Sequence, residues 1–197
     1  GGQQWARIDL ATPIQLRDLE AIYPDQIHIV DEVMWDDTAQ VVHAMRQRRL
    51  GSLILSEQRL SKPDPSMILT ALLQGIRRAG LDKLAWNPEL RQWQARVGFL
   101  RRMEGQESQW PDLSDEALLR TLDDWLAPYL SGLTTLDRVT RLDLTQPLHA
   151  LLSWEQQRNL EQWAPTHLTV PSGSSVRLEY ETPDLPILAV RLQEMFG

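Results

Sequence analysis

Three arginines within four positions, Arg46, Arg48 and Arg49, lead through Leu50-Gly51 into an apolar run that stops at Ser56-Glu57. On an extended strand, side chains two residues apart share a face at about 6.5 Å spacing, so Arg46 and Arg48 point together and Arg49 points away. Guanidinium groups so arranged suit a chain of phosphates, which they hold by charge and by forked hydrogen bonds. The same cations would also keep an edge strand soluble and unpaired. Further basic candidates follow at Arg59, Lys62, Arg77 and Arg78. Downstream, His167 and the small-residue turn holding Ser172 and Ser174 could offer hydroxyls and backbone N–H groups to a phosphate, although small residues are equally what a hairpin tip requires.

The net charge of −7 conceals an asymmetry. Residues 1–39 carry 2 basic and 8 acidic side chains, residues 40–103 carry 12 and 4, and residues 104–197 carry 6 and 15. A basic block inside an acidic chain reads either as an anion-binding face or as an intramolecular partner for the acids around it. Other chemistries lack their residues. No Gly-x-x-x-x-Gly-Lys-Ser/Thr occurs, and the two lysines, Lys62 and Lys83, follow no glycine loop, so this stretch has no phosphate cradle of the P-loop kind. His28, His43, His149 and His167 share no metal-ligand spacing, and Gly-x-Ser-x-Gly is absent. Asp36-Asp37 and Asp123-Asp124 read as solvated acids in a turn and on a helix. The absence of cysteine excludes disulfides and thiolate metal sites and fits a cytosolic home. No apolar run approaches the about 20 residues of a membrane span. The first residues, Gly-Gly-Gln-Gln, are no signal peptide, and a start without methionine reads as a piece of something longer.

The elements that must position these groups divide the chain in three. Residues 1–62 read as a β-rich module: a strand over 5–14, a helix over 15–23, a strand over 27–35, a turn at Asp36-Asp37-Thr38, and strands over 41–50 and 52–60. Residues 63–165 read as helical. Asp64-Pro65 and Asn87-Pro88 open two helices, Ser114-Asp115-Glu116 a third that Pro128 ends, and Ser153-Trp154-Glu155-Gln156 spells a capping box. Gly105–Pro111, the most polar connector, reads as a flexible joint. Trp93, Trp125 and Trp163 fall on helical core stripes and Trp35 on the apolar side of a strand, so the tryptophans read as core and not as base-stacking platforms. Residues 166–197 read as a hairpin plus a last helix with Leu188, Leu192, Met195 and Phe196 on its apolar face. The fold class is α+β: a small antiparallel β-rich module, a helical bundle, then a β-hairpin and a terminal helix.

Three stretches carry a resemblance: Arg49–Glu57 (RLGSLILSE), Pro111–Leu130 (PDLSDEALLRTLDDWLAPYL), and Ala164–Ser174 (APTHLTVPSGS) with Leu188–Gly197 (LAVRLQEMFG). In that order they resemble the carboxy-terminal half of bacterial HrpB-type ATP-dependent RNA helicases of the DEAH superfamily. The resemblance implies a parent that hydrolyses ATP with Mg²⁺ on two RecA-like motor domains preceding this region. It implies no cofactor in this fragment and no ATPase of its own. The partners implied are single-stranded RNA or another nucleic acid and the motor domains of the same chain. In related helicases, accessory domains that include a helical ratchet-like domain and an OB-like β domain close over the RNA channel, and residues 1–62 would supply such a β module. Under this resemblance Arg46, Arg48, Arg49, Arg59, Lys62, Arg77, Arg78, His167, Ser172 and Ser174 become candidate nucleic-acid contacts. The competing expectation is a protein-interaction or regulatory scaffold that docks on the helicase core or a partner without binding RNA, marked by an exposed apolar patch.

Overall fold

The computed structural model describes residue 18, residues 21–180 and residues 187–188. The strand expected over 5–14 and the last helix lie outside these. Of the helix expected over 15–23, Asp18, Ala21 and Ile22 are helical. The architecture is α+β. A three-stranded antiparallel sheet of order β1-β2-β3 (Ile27–Asp36, Val41–Leu50, Leu53–Arg59) precedes the helices α1 (Pro65–Ala79), α2 (Pro88–Glu104), α3 (Asp115–Arg120), α4 (Leu122–Trp125), α5 (Leu136–Val139), α6 (Thr145–His149) and α7 (Trp154–Trp163). A hairpin of β4 (His167–Thr169) and β5 (Ser175–Glu179) follows, and Ile187–Leu188 pairs with β5 as β6.

The described chain forms two compact units. One takes in the strands through Met34 and from His43 to Asp64; the other takes in Trp35–Val42 and the chain from Pro65 onward. In the first, β2 is the central strand, and its register with β3 shifts between Arg48 and Arg49, so Arg48 faces Ser56 while Arg49 faces Ile54. Such a bulge leaves one residue unopposed and sharpens the local twist. Among the described residues of this unit, the buried side chain is Gln47.

The second unit holds the apolar core. Leu72, Ile76, Val97, Leu118, Leu122, Leu126, Leu144, Leu148 and Leu160 are fully buried, and each contributes on the order of 1.5–3 kcal/mol against exposure. The tip of the β1–β2 hairpin belongs here. Asp36 Oδ1 accepts from the backbone N–H groups of Thr38 and Ala39, and the Leu136 and Val42 N–H groups donate to the Gln40 and Thr134 carbonyls. A Cβ at Gly75 of α1 would collide with the Trp35 indole, so only glycine lets that ring lie against the helix.

Side-chain caps fix the helix starts that position the site. Asn87 Oδ1 accepts from Leu90 N–H at 2.8 Å ahead of Pro88, and Ser114 Oγ accepts from Ala117 N–H. Ser153 and Gln156 form a full capping box. Gly105 (φ 79°) ends α2 in a backbone conformation that other residues resist. The helix expected from Ser114 to Pro128 breaks into α3, α4 and a 3-10 turn at Thr121, whose backbone departs from helical angles and whose hydroxyl bonds back to the Ala117 carbonyl. The joint expected over 105–111 is pinned instead: Glu104 accepts from Ser108 Oγ, Gln109 N–H and Trp110 Nε1, and Trp110 is buried. Two tryptophans depart from the core expectation. Trp163 is 52% exposed, its edge meeting Trp110 at 6.5 Å, and Trp154 is 72% exposed with the Arg158 guanidinium 4.9 Å over its ring.

Candidate nucleic-acid interface

On the first sheet the cations meet acids from the neighbouring strand. Arg46 donates from Nε to Asp31 Oδ1 at 2.6 Å and from Nη2 to Asp31 Oδ2 at 2.8 Å, the forked geometry that a phosphate would also satisfy. The hydrogen bonds and charge of Arg46 hold the Asp31 carboxyl below the usual carboxylate range and push the guanidinium up. Arg49 enters a different arrangement. Its Nη2 donates to Glu32 Oε2 and its Nε to Gln47 Oε1, and Gln47 Nε2 donates to Glu57 Oε2. That rung of side chains crosses all three strands, which explains how an amide only 5% exposed is tolerated: its oxygen and its nitrogen are both satisfied. Arg48 is half-buried, and Arg59, opposite Met45, is exposed, as is Lys62 beyond the strand. The sheet thus keeps Arg46, Arg48 and Arg49 on its central strand, flanked on both sides by acid-bearing strands.

In the helical unit, Arg77 pairs with Asp123, and Arg78 Nη1 donates to Asp37 Oδ2 at 2.6 Å. His167 is exposed and meets Thr166 Oγ1 through Nδ1 at 3.0 Å. Ser172 is exposed in the β4–β5 turn, while Ser174 accepts Val170 N–H at its carbonyl as part of the hairpin closure. Arg77 and Arg78 lie on α1, and His167, Ser172 and Ser174 on or beside the hairpin.

A second basic feature lies on α2, outside the candidates singled out from the sequence. One side of α2 and the chain from Gly105 to Ser114 enclose a groove of about 690 Å³ lined by Arg91, Arg101, Arg102, Gln94 and a floor that includes Gly98 and Leu113. Arg91 stacks 3.8 Å over Trp86 and donates to Asp115 Oδ1. Burial alone would raise the Asp115 carboxyl, but hydrogen bonds from Gln94 and Arg91 outweigh it and leave it lowered. Arg101 donates to the Trp110 carbonyl at 2.6 Å. Arg102 forms no ion pair with a described residue. Asp112, also on the wall, is held low by the Ser114 N–H and hydroxyl, with Arg101 and Arg120 adding to the effect. On the opposite side of the same helix Arg96 is 4% exposed, donating to the Ala164 and Leu160 carbonyls and reaching Glu161. The adjacent pair Arg101-Arg102 with a small residue one turn earlier, Gly98, was the available sequence signal for the groove.

Among the described residues, no group of three or more His, Cys, Asp or Glu could hold a metal ion, and no helix is long and apolar enough to cross a membrane. His149 lies against Trp93 at 4.8 Å, and burial pushes its imidazole down toward the neutral form.

Comparison with known proteins gives this architecture a class. Residues 125–197 match the family described as ATP-dependent helicase C-terminal, which supports an accessory region of the helicase kind. Residues 26–60 match a second family, ATP-dependent RNA helicase HrpB, connector region. Over 192 residues, 98% of this chain, the sequence is 38% identical to the ATP-dependent RNA helicase HrpB of Escherichia coli (strain K12), covering 24% of that protein. Crystal structures of the E. coli DExH-box NTPase HrpB (TM-score 0.64, 36% identity, 93% of this chain and 23% of that one) and of the Escherichia coli DEAH/RHA helicase HrpB (TM-score 0.63, 38% identity, 87% and 22%) share the fold. The chain is similar to the connector and carboxy-terminal regions of HrpB helicases and spans about a quarter of the length of these relatives.

Proposed function

We propose that this region serves an ATP-dependent RNA helicase by holding the nucleic-acid backbone and by supporting the motor domains, with no ATPase of its own. The observation that carries the reading is the match, in chain order, to the HrpB connector and helicase C-terminal families. The chemistry is consistent with it: Arg46 already holds a bidentate anion in Asp31, and a phosphate oxygen could exchange for that carboxylate. Arg59 and Lys62 add exposed positive charge. Such contacts read charge and not sequence, so binding should fall steeply with salt. ATP and Mg²⁺ would belong to the rest of the parent protein.

Support of the motor has its own observation. Ile29 (67% exposed), Leu53 (53%) and Ile54 (46%) are large apolar side chains open on the small sheet. Exposed apolar surface of this kind is what an interacting partner covers, and the scaffold reading without RNA binding rests on the same residues.

The test is fluorescence anisotropy with a labelled single-stranded RNA, beside a phosphate-release assay. The expected result is RNA binding at low salt that weakens when Arg46 and Arg48 are both changed to Glu, with no ATP-dependent phosphate release. A chain that leaves the RNA freely tumbling at low salt overturns the RNA part and leaves the docking role. Phosphate release overturns the accessory assignment.

A further inference from the structure

We propose that the α2 groove seats a backbone phosphate of single-stranded nucleic acid between Arg101 and Arg102, an inference that rests on the RNA-binding reading above and adds a site outside the sheet. The groove's about 690 Å³ falls within the range of about 300–1,000 Å³ typical of ligand sites, room enough for a nucleotide. Its charge is not cancelled from within. Glu104, one turn beyond Arg101, spends both carboxylate oxygens on Ser108, Gln109 and Trp110, and Arg91 is already matched by Asp115. Asp112 is the one carboxylate among the lining residues, and its charge interacts with Arg101 and with Arg120 outside the groove. Arg102 has no carboxylate partner among the described residues, and Arg101 is oriented by the Trp110 carbonyl, which ties up Nη1.

Gly98 completes the case. A glycine inside a helix costs about 1 kcal/mol relative to alanine, and here the missing side chain leaves space that Arg102 uses: a Cβ at Gly98 would stand 3.3 Å from Arg102 Nη1. Ala95 and Leu113 are the small and apolar lining residues against which a base or ribose can lie while the phosphate meets the cations. Gln106 also lines the groove. Forked donors above a shallow apolar floor suit a nucleotide's phosphate and flat base better than the separated carboxylates of an acidic peptide.

The test titrates the intact chain into a fluorescein-labelled oligouridylate at about 50 mM and about 200 mM salt. Arg102→Gln is expected to weaken binding about fivefold at the lower salt and to reduce the log–log salt slope by about 0.7, the value of one phosphate contact on a single strand. Gly98→Leu should block the groove with an equal or larger loss while Tm holds or rises, since leucine favours a helix more than glycine does. Unchanged binding in both variants, with the Arg46→Glu/Arg48→Glu chain impaired, overturns the groove and leaves the RNA reading standing. No binding by the unaltered chain overturns both. Displacement of the oligonucleotide by polyglutamate as readily as by unlabelled RNA overturns the nucleic-acid assignment in favour of an acidic protein segment.

Discussion

Arg46 and Arg49 of the first sheet and Arg102 of α2 are the same residue in opposite circumstances. Between β1 and β2, strand pairing brings Asp31 and Glu32 within reach of Arg46 and Arg49, so the charges there are closed into pairs by the fold itself. Along α2, neighbours three and four residues away decide what a side chain can meet, and around Arg102 these include Gly98 and Gln106. Positive charge in a sequence therefore says little until its neighbours in space are known. The sheet uses arginine to fasten strands, whereas α2 buries Arg96, pairs Arg91 and leaves Arg102 exposed.

Four substitutions test that contrast, taken from the largest effect to the smallest. Arg96→Met, on the buried side of α2, should cost about 2–3 kcal/mol in a denaturant titration, because the Ala164 carbonyl loses its donor inside the core. Gln47→Leu removes the middle of the three-strand rung and strands Arg49 and Glu57, for an expected loss of about 1–3 kcal/mol. Asp31→Asn should lower stability slightly, with the difference fading at high salt, since the pair is solvent-exposed. It should also remove part of the acid response: the Asp31 carboxyl is lowered in the folded state, so its stabilisation is full above the ordinary value of about 3.9 and is lost as pH falls through the folded value. Arg102→Gln should stay within about 0.5 kcal/mol of the unaltered chain. If Arg102→Gln proves as costly as Gln47→Leu, the two regions do not differ in the way described.

Much of this was legible in the sequence wherever one short stretch decides the outcome. Alternation marked β1 and β2, Asn87-Pro88 and Ser114 marked helix starts, and Ser153 with Gln156 spelled the capping box that forms. The expected opposition of Arg46 and Arg49 agrees with their partners, the adjacent and oppositely directed Asp31 and Glu32. What escaped was decided by residues far apart in the chain. Arg96 sits at the edge of the apolar stripe, a charged residue where the neighbouring sequence offers no acid to pair it, yet the end of α7 arrives with carbonyls that need a donor. Trp163 keeps the spacing of a core stripe but lies at the last turn of α7, where its ring overhangs Trp110. The polar connector after Gly105 carried no apolar run to announce that Trp110 folds inward and that Glu104 ties it down. The groove is a product of that inward fold, so it could not be read before the loop was.

The seat of Trp35 against Gly75 has a practical consequence for dissecting the chain. A cut made at the proline-rich passage after Arg59, the natural place to separate strands from helices by eye, would carry the indole away with the wrong piece. The strand fragment would be left with a bare aromatic ring, and the helical fragment with an empty slot over α1. Cloning boundaries for the helical half should therefore begin no later than Trp35, so that residues 35–42 stay with the helices.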